Sequence, residues 1–186
     1  MKKNVIVSLA DANYFPLLEE LVDSIKSFKE SEKVAICILD AGLTQDSKWI
    51  NNLLIKDLIS GSDAKHILLI VDSCFAGALM RGSGENKSIE KLTSSSIAKN
   101  QMKKTRLVMT SGGNEEVVDG IGNSKNSVFV EPLIRALKDN NRVIRSIELF
   151  QTVRTYVENN ADQVPEYSLI HGTGHDGGEF LFFPVS

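Results

Sequence analysis

The chain has 186 residues, 42% hydrophobic and 24% charged, with a formal net charge of -3. That is enough apolar material for one ordinary globular domain, and the weak negative charge excludes a surface built for non-specific nucleic-acid binding. No apolar stretch approaches the roughly 18 residues that a membrane span needs.

The start, MKKNVIVSLADANY, meets Asp11 where a leader would carry a cleavage site, so Asn4 to Ala10 reads as a first buried strand. Leu18, Leu21, Val22, Ile25 and Phe28 then fall at helical spacing, with Pro16 where a first turn tolerates it. VAICIL (Val34 to Leu39) is a second strand, and Ile50, Leu53, Leu54 and Leu58 mark a second helix. HILLIV (His66 to Val71) and TRLVMT (Thr105 to Thr110) are the third and fourth strands. Between them, RGSGENKSIEKLTSSSIAKNQMKK (residues 81–104) is rich in Gly, Ser, Lys and Asn and reads as an exposed linker. Phe129, Leu133 and Leu137, then Ile147, Phe150, Val153 and Val157, give two more amphipathic helices. YSLI (Tyr167 to Ile170) and EFLFF (Glu179 to Phe183) are late strands. The expected fold is α/β, a mostly parallel β-sheet with helices on both faces in three layers.

In such sheets, functional groups gather beyond the carboxyl ends of the strands. Cys74 lies there, just after HILLIV, and Ser111 to Gly113 lie just after TRLVMT. Cys37, in the middle of an apolar strand, reads as a core thiol. Two cysteines without an export signal point to reduced thiols and a cytoplasmic setting. A turn and a helix starting near Phe75 would lower the Cys74 thiol pKa and offer backbone N–H groups to an oxyanion. Position alone leaves Cys74 open between a nucleophile and a structural thiol.

VDSCFAGAL (Val71 to Leu79) resembles the nucleophile segment of caspase-like cysteine peptidases of the bacterial and metacaspase type. TRLVMTSGGNEEVVDG, NSVFVEPLIRAL and PEYSLIHGTGHDGGEFLFFP resemble that family's next strand and specificity loop, its following helix and its closing segment. The resemblance covers about residues 63–184. It implies that Cys74 is the nucleophile and that its own backbone N–H is an oxyanion donor. It further implies that Asp72 and Asp119 line a pocket for a substrate Arg or Lys, with Ser111 and Gly112 beside the bound peptide. On residue preferences alone, Asp72 also fits a helix cap and Asp119 a turn.

A caspase-like enzyme needs a histidine to take the thiol proton, roughly 50 residues before the cysteine. There is none before His66, and His66 opens the strand whose far end leads to Cys74, roughly 25 Å away. His171 and His175, in HGTGHDGG, are the candidate substitute bases, with a polar glycine-rich turn as the plainer reading. No metal site is expected. No cofactor is expected either, although many metacaspases need calcium, and no acidic cluster marks a calcium site.

Residues 1–60 resemble the strand-helix-strand opening of nucleotide-sugar glycosyltransferases, with Asp40 closing the second strand and no Asp-x-Asp metal motif anywhere. The expected organisation is therefore a βαβα segment at 1–60, sharing one sheet with a caspase-like segment at 61–186. The expected function is a cysteine endopeptidase that cleaves after Arg or Lys in a protein or peptide. The alternatives are an inactive pseudopeptidase or binding scaffold and, third, a glycosyltransferase fragment. The oligomeric state is not legible in the sequence.

Overall fold

The computed structural model describes residues 4–10, 23, 34–40, 52–72, 92–112 and 126–184 of the chain. The first strands are β1 (Asn4–Ala10) and β2 (Val34–Asp40), followed by α1 (Asn52–Ser60) and β3 (His66–Val71). Next come α2 (Ser94–Met102), β4 (Thr105–Thr110), α3 (Val130–Lys138) and β5 (Ile144–Arg145). The chain closes with α4 (Ser146–Asn160), β6 (Glu166–Leu169) and β7 (Leu181–Phe182). The expected helix containing Leu18 to Phe28 lies outside the described residues, Asp23 excepted.

Five strands form one sheet in the order β2-β1-β3-β4-β6. The first four are parallel, with Asn4 opposite both Val34 and His66, and His66 opposite Thr105. β6 is antiparallel to β4, with Thr110 opposite Glu166 and Leu107 opposite Leu169. The sheet is thus mixed at one edge. EFLFF contributes no strand to it, because only Leu181 and Phe182 are extended and they pair with β5 in a separate two-stranded ribbon.

Strand alternation sends successive side chains to opposite faces, and the sheet interior uses both. Leu68, Ile70, Leu107 and Met109 face α3 and α4, meeting Phe129, Leu133, Leu137, Leu149, Phe150, Val153 and Val157. Ile67, Leu69, Val71 and Val108 face the other side, against Ile55 and Ile59 of α1 and Ile170. All six side chains of β3 are buried, which is why its sequence is a continuous apolar run and not an alternating one. This is the three-layer α/β arrangement expected, with helices on both faces.

Two helices depart from the sequence reading. α1 buries Ile55 and Ile59, one turn apart, and leaves Leu53 and Leu58 at 67% and 55% exposure, so the face assigned from Leu53 and Leu58 was the outer one. The linker read at 81–104 contains α2, which buries no residue. The sequence reading did not anticipate that helix, and residues 81–91 lie outside the described residues. α2 starts at a capping box, with the Thr93 hydroxyl accepting from Ser96 N–H and the Ser96 hydroxyl accepting from Thr93 N–H. The TSSS run was the available signal.

The amino ends of β3 and β4 are closed by two loops. Arg106, 1% exposed, donates through its guanidinium to the carbonyls of Ser62, Ala64, Lys65 and Thr105, at 3.3, 2.7, 3.1 and 2.8 Å. The buried charge has carbonyl dipoles for partners, and it ties the loop after α1 to β4. The loop after β6 arrives at the same end: Ile170 N–H donates to Arg106 O and Asp176 N–H to Lys104 O. Gly178 presses so closely on β4 that a Cβ there would stand 2.5 Å from Thr105 Oγ1 and 3.0 Å from Lys103 O.

Candidate functional site

Four parallel strands deliver their carboxyl ends to one side of the molecule, and that is where Ala10, Asp40, Asp72 and Ser111 lie. Cys74 and Asp119 lie outside the described residues, as do Ser73 and the expected helix after Phe75. Asp72, two positions before the cysteine, fixes where the nucleophile segment leaves the sheet.

Asp72 follows β3 on the α3 face of the sheet. Its Oδ2 accepts a hydrogen bond from Ser127 Oγ at 2.7 Å. The same Ser127 oxygen accepts from Val130 N–H, the first residue of α3, at 3.0 Å. Ser127 thus does for α3 what an N-cap side chain does, taking one of the amides that a helix start leaves without a partner. In doing so it turns its only proton toward Asp72. Beside it, Asn126 Nδ2 donates to Glu131 Oε2 at 2.7 Å, bracing the same turn. Asp72 as a residue is half-buried, its Oδ1 is shielded from solvent, and Ser127 behind it is buried.

β4 leaves the sheet alongside. Ser111 N–H donates to Val71 O at 2.9 Å, continuing the β3–β4 ladder by one bond. Ser111 O accepts from the side-chain amide of Gln163 at 3.2 Å, from the segment that leads into β6. Ser111 and Gly112 are both buried, and among the described residues Ser111 Oγ is a buried hydroxyl without a hydrogen-bond partner. The two residues expected beside the bound peptide therefore sit beneath the surface, as a floor to this end of the sheet.

The histidines lie at the other end. His66 is the first residue of β3, buried, and its imidazole is pushed below the ordinary value chiefly by desolvation. Hydrogen bonds to the backbone at Asn100 and Lys103 oppose that shift, and the charges of Lys65 and Arg106 add to it. His175 Nδ1 accepts from Arg106 N–H at 3.1 Å, at the amino end of β4. His171 follows Ile170, which bonds Arg106 O, and is exposed. From that end to Asp72 is a full strand, roughly 17 to 20 Å at about 3.3 Å per residue. His171 and His175 are thus about a strand's length from Asp72, and their relation to Cys74 lies outside the described residues. The antiparallel course of β6 is the reason, because it carries the chain from the carboxyl end of β4 back to its amino end.

Ser127 and Gln163 are the polar residues of this end that sequence reasoning missed. Ser127 carried a local signal, a serine three residues before a helix start. Gln163 carried none, since its partner is 52 positions away. Among the described residues, no group of three or more His, Cys, Asp or Glu is placed to hold a metal ion.

The family model for the caspase domain matches residues 23–173. The chain belongs to the caspase-domain family. Caspase domains are a family of cysteine peptidases, and the resemblance carried by VDSCFAGAL and its companions is thereby shown. The match begins well before residue 60 and takes in β2, so residue 60 is not one of its edges. Among solved structures, the crystal structure of caspase-1 from Spodoptera frugiperda shares the fold, with a TM-score of 0.51 at 12% identity. The similarity covers 90% of this chain and 86% of the insect one. No curated sequence matches the chain. Among the described residues, no helix of this caspase domain is long and apolar enough to cross a membrane.

Proposed function

We propose that this caspase domain is a cysteine endopeptidase acting through Cys74 on peptide bonds that follow Arg or Lys. The observation that supports it is Asp72, a half-buried residue whose carboxylate is bonded by Ser127 at the carboxyl end of β3, two residues before the cysteine. A carboxylate so placed pairs with a guanidinium or ammonium through charge-assisted hydrogen bonds. Asp119 is its proposed partner in the pocket. The Cys74 thiolate attacks the carbonyl carbon, the C–N bond breaks as the amine takes a proton, and water then hydrolyses the thioester.

The chain's three histidines stand at the opposite end of the sheet, so thiol deprotonation and amine protonation fall to solvent or to groups other than imidazole. Loss of one triad member leaves only a remnant of full catalysis, so slow turnover is expected. The same placement favours a second reading, a caspase-like scaffold that binds peptides with a basic residue and does not cleave them. Either way, Lys103 and Lys104 are poor sites for self-processing, because their backbones are held by Asn100 and Asp176. Arg81, Lys87 and Lys91, the other basic residues of the linker at 81–104 that could serve as such sites, lie outside the described residues.

Hydrolysis of fluorogenic peptides ending in Arg, Lys or Asp, with and without calcium, tests the proposal against Cys74→Ala. Cleavage after Arg and Lys alone, lost in the variant, supports the peptidase. Absence of cleavage in a folded sample that still binds the Arg peptide supports the scaffold.

A further inference from the structure

α3 and α4 pack side by side on one face of the sheet, and between them lies an open groove of about 640 Å³. Its apolar surface comes from Pro132, Ala136, Ile144, Leu149 and Tyr156. Both helices meet the carboxyl end of the sheet at the same end of this groove. α3 starts there, where Ser127 joins Val130 N–H to Asp72, and α4 ends there, three residues before Gln163 bonds Ser111 O. Glu148 and Asn160 mark the two ends of the α4 wall. They are about 18 Å apart along the helix, the span of about five extended residues.

The α4 wall has one chemical character. Thr152 Oγ1 donates to Glu148 O and Thr155 Oγ1 to Gln151 O, at 3.2 and 2.9 Å. Asn159 Nδ2 donates to Thr155 O and Asn160 Nδ2 to Tyr156 O, both at 2.7 Å. Each hydroxyl thus directs its only proton to its own helix. Each amide turns its nitrogen to a carbonyl and its oxygen away from it. These four exposed side chains therefore offer the groove mainly acceptors. The helix end acts in the same sense. The last turn of α4 carries no basic residue to match its negative pole, whereas the last turn of α3 carries Arg135 and Lys138.

The two cations on the rim are matched by acids. Arg135 pairs with Glu131 at 3.4 Å and Arg142 with Glu148 at 2.9 Å, and Asp139 lines the groove as well. The sign of the local potential is then set by the acceptor row and the helix pole. We propose that this groove binds an extended basic segment of a polypeptide. Lysine or arginine stems lie on Pro132, Ala136 and Tyr156, and their cationic heads reach the oxygens of Thr155, Asn159 and Asn160. An acidic segment meets mainly acceptors on that wall and is turned away. A polypeptide held at the candidate site has a continuous path into the groove, and this role as an extended substrate site rests on the peptidase reading above.

The test uses the whole chain carrying Cys74→Ala, so that binding is read without turnover. The probes are fluorescein-labelled octapeptides of alternating alanine and lysine, alanine and glutamine, or alanine and glutamate, none of them containing Arg. By polarisation at low ionic strength, the lysine peptide should bind about tenfold more tightly than the glutamine one, with the glutamate one weakest. Thr155→Val with Asn159→Leu keeps the size of both exposed side chains and should bring the lysine peptide down to the glutamine one. Asn159→Asp puts a carboxylate in the row and should raise lysine affinity several-fold, a gain that misfolding cannot imitate. Equal binding of the three peptides, or a lysine preference unchanged in both variants, would overturn the proposal. A preference that the variants alter, in a parent protein that cleaves nothing, supports the groove and removes the peptidase.

Discussion

His175 Nδ1 accepts a hydrogen bond from Arg106 N–H at 3.1 Å across 69 positions of sequence, pinning the glycine-rich closing loop to the amino end of β4. Accepting this bond occupies the Nδ1 lone pair, the one that a base would use to take a proton. A base that must cycle its proton through catalysis would break this link each time. The closing loop is thus built as a fastening at the amino end of β4.

Acid should loosen this end of the molecule. Burial holds the His66 imidazole below its ordinary value near 6.5, so between that value and its lower folded-state value the unfolded chain binds the proton more readily than the native one. The stability involved is fully present above about pH 6.5 and is lost as the pH falls below it. Melting temperatures at pH 7.5 and 5.5 should therefore differ, and His66→Asn should shrink the difference. The charges of Lys65 and Arg106 act with desolvation, the backbone at Asn100 and Lys103 opposes it, and Glu179 lines the same small cavity. An equal drop in the variant would sink the assignment.

Replacing Arg106 by Met should cost about 3 kcal/mol or more in urea unfolding, because the carbonyls of Ser62, Ala64 and Lys65 lose a buried donor together. Arg106→Lys should recover only part of this. A single ammonium cannot span the set of carbonyls that the forked guanidinium reaches.

Gly178→Ala should destabilise the fold by roughly 1–3 kcal/mol. The added methyl meets Thr105 Oγ1 and the Lys103 backbone on a strand that cannot recede, since β4 is paired on both sides. The paired variant Thr105→Ala with Gly178→Ala should recover part of the loss, as a double-mutant cycle would show.

Asp72→Asn should lower affinity for Arg- and Lys-ending peptides by about tenfold while leaving neutral peptides bound as before. Peptide titration reads this directly. If the variant binds all peptides equally less well, Asp72 serves α3 and not the substrate.

The strands were legible because a buried parallel strand writes itself as a continuous apolar run, and β3 and β4 match HILLIV and TRLVMT residue for residue. α3 and α4 were legible by their spacing, down to Leu133, Leu137, Phe150, Val153 and Val157 in the core. α2 was not, since a helix that buries nothing leaves no apolar period, and its capping box is the single mark. β7 was overread because an aromatic run suits a strand, although its phenylalanines mostly fill the core beside a short ribbon. At the candidate site, the place of Asp72 followed from strand direction alone. The remoteness of His171 and His175 did not, because it depends on β6 running antiparallel, and four residues of β-sequence carry no sign of their direction.

The position of β1 between β2 and β3 has a cost during synthesis. β1 and β2 can pair as soon as both have emerged, but the inner edge of β1 waits for β3, which starts about 60 residues after β1 does. At typical elongation rates that interval is several seconds, spent with an unpaired strand edge open to other chains. Overexpression should therefore yield nascent-chain aggregates at lower temperature-dependence than the finished domain shows, and a chaperone that shields the first 60 residues should raise the soluble yield.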